Sequence, residues 1–585
     1  MSAKFFNLIC SIVVGLIGAV VFFLIHQSGQ QSFGEQALFY GLVSGICCYI
    51  VLIPNVFKKI QHICSDYDWA DECARIYHEI PKKYRQSFWS LFGLINLAFL
   101  FHTMHFMWGN EDWGAVRYAV DSREALHSGS FSLYWLQELI FDGKILPVIN
   151  NLWAFAGLSL AGVLLAIYWN LPQRATPIVI TGLLFAVTPY TMSIMYHARY
   201  TLAFFWLPVI VLTALILSEK FGKDHIHTYC YNLVSVLLFL WALGTYMPVI
   251  NFVAVAVLGK MLLKVVYADV QLHDSSRRIC QGVANFTAAL MIYLLIIFIL
   301  YETNQLEQPN SLTYVLSEPL RRLPLLFKYA FLQFALPFPF MDTAYKIVYL
   351  ILGVLALYTL IFDAPNAKAA ARGLVVLPFL IIFSLVSILF AEDVNFLRMS
   401  FFGLPFLYAL AFVSIVGLGH KKILKAGYLL AIILIFMNFV RVAYIEKVWK
   451  FGWDAETKLA ERIITRLEKM PEFDISRQYQ LLQIGEKSLR HKYYQKKPDE
   501  ANSPELLTAA YYKQGNATDA YNFFYQTDFL KGDARADALQ NSVIKDYLLN
   551  KARAWPAQES LFIFGDYIVI VLDDNALALV QKGLR

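Results

Sequence analysis

Two adjacent acids, Glu111 and Asp112, stand in the run Met107-Trp108-Gly109-Asn110-Glu111-Asp112-Trp113-Gly114, where an apolar stretch over 87–107 gives way to a polar loop. A carboxylate at such a mouth can take a proton from an incoming hydroxyl. Two carboxylates side by side hold their pKa values apart and so divide the labour. The same loop, 108–150, also carries Arg117, Asp121, Arg123, Glu124, Glu138 and Asp142. Other candidates border later apolar stretches: His197 and Arg199 in Tyr196-His197-Ala198-Arg199-Tyr200, Tyr246 beside a Gly/Pro break, Asp342, and the group Glu392, Asp393 and Arg398. Charge at membrane depth is costly, so ionisable residues at span ends are candidates for binding or chemistry. A guanidinium grips a phosphate through paired hydrogen bonds, which singles out Arg199 and Arg398. The plainer alternatives are a solvated helix end for the acids, snorkelling for the arginines and a structural role for His197.

The elements that must position these residues are set by composition. The 585-residue chain is 58% hydrophobic and 16% charged, with 46 Phe, 34 Tyr and 12 Trp, more apolar surface than one soluble protein hides. Apolar runs of the length that crosses a bilayer recur at 5–25, 36–56, 87–107, 151–171, 177–195, 200–217, 230–247, 248–266, 283–302, 344–362, 372–391, 399–417 and 422–441. That gives about thirteen transmembrane helices. The continuous apolar stretch 230–266 is divided at Gly244-Thr245-Tyr246-Met247-Pro248, because Gly followed by Pro marks a break. The first run lacks a small-x-small cleavage site and a second run follows at once, so it is expected to be retained. The aromatic segment 327–340, interrupted by Pro337 and Pro339, is expected to be re-entrant or interfacial.

Lys and Arg fix the expected orientation. With the N-terminus inside, the inner loops hold Lys58, Lys59, Arg75, Lys82, Lys83, Arg85, Arg174, Lys220, Lys223, Arg277, Arg278, Lys368, Arg372, Lys421, Lys422 and Lys425, and the outer loops are poorer. This bias accounts for most of the net charge of +6, which therefore calls for no nucleic-acid partner. All seven cysteines lie in spans or on the inner side, so no disulfide framework is expected. His62, Cys64, Cys73 and His78 fit no standard zinc spacing, and no metal or cofactor is expected.

An odd number of spans divides the chain into a membrane unit, 1–441, and an extracytoplasmic segment, 442–585, of mixed and charged composition compatible with a small α/β domain. Within it, 454–470 reads as an amphipathic helix with Asp454 as N-cap and Pro471 as its stop. Strands are expected over 478–484 and, as a pair turning at Gly565-Asp566, over 560–572.

The run Asn110-Glu111-Asp112-Trp113-Gly114, with Ser128-Gly129-Ser130-Phe131-Ser132-Leu133-Tyr134-Trp135-Leu136 and Leu146-Pro147-Val148 after it, resembles the first outer loop of the Gtr-type serotype-converting glucosyltransferases of bacterial O-antigen, which have the polytopic GT-C architecture. The end of the chain, Ala554-Trp555-Pro556-Ala557-Gln558-Glu559-Ser560 before a final hydrophobic strand pair, is similar too. The family has Asp-Asp at the acidic pair and Gly-Arg-Trp in the later triplet; here these are Glu111-Asp112 and Gly129-Ser130-Phe131. The likeness implies a bacterial inner-membrane glycosyltransferase. It would carry a sugar, by inversion, from undecaprenyl phosphate to an O-antigen or other surface polysaccharide on the periplasmic side. Placement at outer span ends makes Arg199 and Arg398 the candidates for the donor phosphate, and Arg117, Arg123, His197, Tyr246, Glu392 and Asp393 candidates for further substrate contacts. It is the likeness that implies Asp112, at the shared position, as the enzyme's base, with Glu111 as its neighbour in positioning. Its partners would be a small flippase and a donor synthase at the cytoplasmic face. An O-antigen polymerase and a flippase for lipid-linked glycans are the alternatives. A flippase would show internal repeats and charge in mid-span, and neither is evident in the sequence.

Overall fold

The computed structural model describes residues 79–105, 125, 129–137, 146–172, 174–219, 225–267, 272–302, 319–335, 343–390, 400–485, 518, 521–522, 525–532 and 541–584. Its helices are α1 (Lys82–Ala98), α2 (Leu100–Met104), α3 (Phe131–Trp135), α4 (Pro147–Tyr168), α5 (Ala175–Ala186), α6 (Pro189–Met195), α7 (Ala198–Ser218), α8 (His225–Thr245), α9 (Ile250–Tyr267) and α10 (Leu272–Glu302). They continue with α11 (Pro319–Ala335), α12 (Thr343–Phe362), α13 (Ala367–Phe383), α14 (Leu404–Leu418) and α15 (Lys421–Leu467).

Among the described residues seven helices are long and apolar enough to cross a membrane, or eight if the bent pair α5 and α6 is one span. Apolar side chains such as Met291, Leu295, Leu350, Val354, Ile432 and Phe436 are exposed on their outer surfaces, as lipid-facing positions require. This is the build of a polytopic helical membrane protein. The expected spans 5–25 and 36–56 lie outside the described residues. Those over 87–107, 372–391 and 399–417 fall on α1, α13 and α14, which have 17, 17 and 15 residues, short of the roughly 20 needed for a straight crossing.

The breaks follow from proline. Thr188, the residue before Pro189, is extended (φ −141°, ψ 158°), as the proline ring demands of its predecessor, and α5 and α6 meet at 58° where a single span was expected. Thr191 caps the gap by donating its hydroxyl to the Ala186 carbonyl at 2.7 Å. The expected division at Gly244–Pro248 is present: α8 ends at Thr245, Tyr246 is extended, and Met247–Val249 forms a 3-10 turn before α9. In the 327–340 segment, residues up to Ala335 are the end of an amphipathic helix that begins at Pro319 and accommodates Pro324.

Asp454 is not an N-cap. It lies inside α15, a 47-residue helix roughly 70 Å long, which also runs through residue 441 without a break. Lys450 pairs with Asp454 one turn on, and Trp449, Trp453, Leu459, Ala460, Ile463, Ile464 and Leu467 are buried in succession along the helix. Side-chain packing therefore overrides the capping signal. The helix does stop at Leu467, four residues before Pro471.

Beyond it stands a four-stranded sheet with β1 (Gln478–Ile484), β2 (Asp528–Lys531), β3 (Leu561–Phe564) and β4 (Tyr567–Val571) in the order β2-β1-β4-β3. The β3–β4 hairpin turns at Gly565, whose φ is +58°, and β1 is parallel to both of its neighbours. Tyr479, Leu481, Phe529 and Leu561 join Leu459, Ile463 and Leu467 of α15 in one apolar core.

Candidate functional site

The residues that could act gather where α2, α6, α7, α8 and α15 meet at one end of the bundle. His197 occupies the N-cap position of α7 and is buried. Its ring lies 6.1 Å from that of Tyr200 and edge-on to Tyr196 at 5.2 Å. Arg199, the second residue of α7 and half-buried, sets its guanidinium 4.5 Å over the Tyr200 ring. A cation in the first turn opposes the helix dipole, so Arg199 is not there for helix stability; together with the N-terminus it makes a locally positive end suited to an anion. Tyr200 stacks on Phe204, Phe204 on Tyr246 at 4.3 Å, and Tyr246 lies 5.5 Å from Phe402. The 3-10 break after α8 is what turns Tyr246 into this layer.

Thus three of the residues expected from sequence, His197, Arg199 and Tyr246, come together along one aromatic array. Glu111, Asp112, Arg117, Arg123, Glu392, Asp393 and Arg398 lie outside the described residues. The segments flanking the acid loop are tied to the same array. On its entry side, His102 in α2 lies against Trp449 of α15, whose other neighbour is Tyr196, with ring centroids 5.1 Å away in both cases. On its exit side, the Gln137 amide donates to the Arg199 carbonyl at 3.4 Å. Gly129 takes a φ of +79°, a conformation only glycine adopts freely, and releases the chain into α3, which packs on α8.

Sequence reading missed three residues here. His102, Glu446 and Trp449 are all buried, and the Glu446 carboxylate lies near the backbone N–H of His102. The break at Phe99 leaves that N–H without a helical acceptor. Among the described residues no hydrogen-bond partner reaches Glu446 Oε1 or Trp449 Nε1, so polar capacity is held in reserve at this end of the bundle. The available signal was a lone acid amid Ala443-Tyr444-Ile445 and Val448-Trp449.

Two further features lie lower in the bundle. An apolar cleft of about 340 Å³ opens between α12, α13 and α14, walled by Leu350, Val354, Leu377 and Leu404, with Lys346 in the first turn of α12 at its rim. Lys260 of α9 is buried and paired with Glu219 at 2.6 Å, its ammonium 3.9 Å from the Tyr168 ring. Lys260 is a charge within the expected span 248–266, paired next to the end of α7, and the ion pair and the aromatic face make its burial tolerable. No group of His, Cys, Asp and Glu able to hold a metal occurs among the described residues. No family model matches the sequence, and neither a curated protein nor a solved structure is found to be similar to it.

Proposed function

We propose that the chain is a membrane glycosyltransferase of the GT-C kind, with about thirteen spans. In this reading it moves a hexosyl unit from a polyprenyl phosphate to a surface polysaccharide, and the end of the bundle holding His102, His197 and Trp449 faces the periplasm. The observation that carries the reading is the attachment of both flanks of the acid loop, through His102 and Gln137, to the array that contains His197, Arg199 and Tyr246.

Each part has a role in that reaction. Asp112 takes the proton of the acceptor hydroxyl as the hydroxyl oxygen attacks the anomeric carbon from the face opposite the phosphate, and Glu111 orients the acceptor. The bond from the anomeric carbon to the phosphate oxygen breaks as the new glycosidic bond forms, which inverts the configuration. The leaving polyprenyl phosphate gathers negative charge, and Arg199 at the positive end of α7, with Arg398, neutralises it. The aromatic faces of Tyr200 and Tyr246 suit a sugar ring. The apolar cleft beside Lys346 suits an isoprenoid chain whose phosphate stays near a cation. A cytoplasmic-face synthase and a small flippase would supply the donor.

The test is glycan analysis of the surface polysaccharide of cells expressing the wild-type chain or Asp112→Asn at equal membrane levels. Loss of one sugar decoration from a full-length polymer in the variant is the expected result. An unchanged glycan overturns Asp112 as base, and loss of polymer length in both the variant and a deletion favours a polymerase.

A further inference from the structure

The upper part of α15 carries a feature that sugar transfer at the bundle end does not use. Lys458, Arg462 and Arg466 follow one another at four-residue intervals on one side of the helix. With Lys469 they line an open groove of about 590 Å³ that has Trp555 at its base. The Trp555 indole is buried and lies 4.2 Å beneath the Arg466 guanidinium and 5.5 Å from that of Arg462. Arg466 also donates to the Ala557 carbonyl at 2.9 Å and the Pro556 carbonyl at 3.3 Å. Its guanidinium is therefore held in place before any ligand arrives, which removes part of the ordering cost of binding.

Among the described residues four cations and one carboxylate, that of Glu461, line this groove. Among the described residues Lys458, Arg462 and Lys469 form no ion pair. Like charges gathered on one helix face repel one another, and the buried side of α15 is made by Leu459, Ala460, Ile463 and Ile464 rather than by Lys458 or Lys469, while Arg462 lies over Trp555. An arrangement that costs free energy in the empty protein is repaid by an anion.

The height of the groove selects the kind of anion. The candidate membrane span on α15 ends no later than Phe451. At 1.5 Å per residue, Arg462 and Arg466 stand roughly 16 and 22 Å further along the helix. The headgroup zone of a leaflet is only about 5–8 Å thick, so lipid phosphates do not reach the guanidinium groups. We propose that this groove binds an anionic glycan through carboxylate or phosphate groups, away from the reacting carbon. The proposal rests on the glycosyltransferase reading, which supplies a polysaccharide on this side of the membrane.

The test uses the full chain in phosphatidylcholine nanodiscs titrated calorimetrically with tetragalacturonate, and with maltotetraose as the neutral counterpart. Tetragalacturonate is expected to bind and to weaken as salt rises, and maltotetraose is not. Arg462→Ala with Lys469→Ala, both exposed, should weaken tetragalacturonate at least about tenfold; the reversal Arg462→Glu with Lys469→Glu should abolish binding. Equal affinity for the variants, equal affinity for maltotetraose, or binding of phosphatidylglycerol alone overturns the proposal. Tetragalacturonate binding alongside an unchanged glycan in both Asp112→Asn and a deletion removes the transferase reading and leaves the anion site. Sugar loss in Asp112→Asn with no tetragalacturonate binding removes the anion site alone.

Discussion

The His102 imidazole lies nearly parallel to the Trp449 indole, with centroids 5.1 Å apart and planes at 22°. His102 belongs to α2, the last described turn before the acid loop, and Trp449 to the helix that leads to the sheet. The contact couples two parts of the chain almost 350 residues apart in sequence. Glu446, one turn before Trp449, brings its carboxylate near the His102 backbone N–H. The acid loop therefore starts from a point fixed by α15.

Trp449→Ala should remove this anchor. The indole is fully buried between His102 and Tyr196, so its loss is expected to cost about 3–5 kcal/mol and to lower the melting temperature of the detergent-solubilised protein. Trp449→Phe keeps a ring between the two neighbours and should cost less than half as much. A Trp449→Ala protein that melts with the wild type would show that the contact contributes nothing to stability.

Gly244 gives a sharper test of the loop's exit side. A Cβ at this position would lie 2.5 Å from the Phe131 ring and 2.5 Å from Ser132 Oγ, so Gly244→Ala must displace these α3 side chains where they pack on α8. Overpacking of this kind costs about 1–3 kcal/mol, and a displacement of about 1 Å near a reacting centre can cost a hundredfold in rate. Sugar transfer should fall at least tenfold by that argument, read as the fraction of decorated polysaccharide repeats. Gly93→Ala, where a Cβ meets nothing within 4 Å, should leave transfer unchanged.

These anchors explain what could be read from sequence and what could not. The break at Gly244–Pro248 and the turn at Gly565-Asp566 are local: the residues that cause them lie within the elements they shape. His197, Arg199 and Tyr246 were legible because ionisable and aromatic residues at span ends carry a cost that calls for a reason. His102 was hidden inside a run that looked like one apolar span, and it became visible only when Phe99 broke the helix. Glu446 and Trp449 were hidden because Asp454 carries the local chemistry of a cap. The continuous burial along α15 outweighs that signal, and it depends on partners distant in sequence; the Lys450–Asp454 pair, one turn apart, adds local support. The parallel pairing of β1 with β2 escaped for the same reason: Gln478 and Asp528 are fifty residues apart.

The Lys260–Glu219 pair is buried, with side chains 5% and 17% exposed. Glu219→Gln leaves the ammonium without its countercharge and should destabilise the protein by about 3–5 kcal/mol. Lys260→Met combined with Glu219→Leu removes both charges from the apolar surroundings and should restore most of that loss. Thermal unfolding of the single and double variants decides between these outcomes. A double variant as unstable as Glu219→Gln would mean that the site needs the charges themselves.

Tyr525 links pH to the attachment of the sheet region to α15. It donates its hydroxyl to the Thr457 carbonyl at 3.0 Å, and burial, then the nearby Glu461 carboxylate, pushes its pKa up to about 12. An unfolded tyrosine ionises near 10. The group whose pKa rises on folding here is an acid, so the fold favours its neutral form. Its contribution to stability is fully present below about pH 10 and is lost as pH rises through about 12. Tyr525→Phe removes both the hydrogen bond and the titration. The difference in melting temperature between wild type and Tyr525→Phe should therefore be constant up to about pH 10 and shrink across the next two units. A difference that stays constant through pH 12 would mean that Tyr525 ionises no later in the folded chain than in the unfolded one.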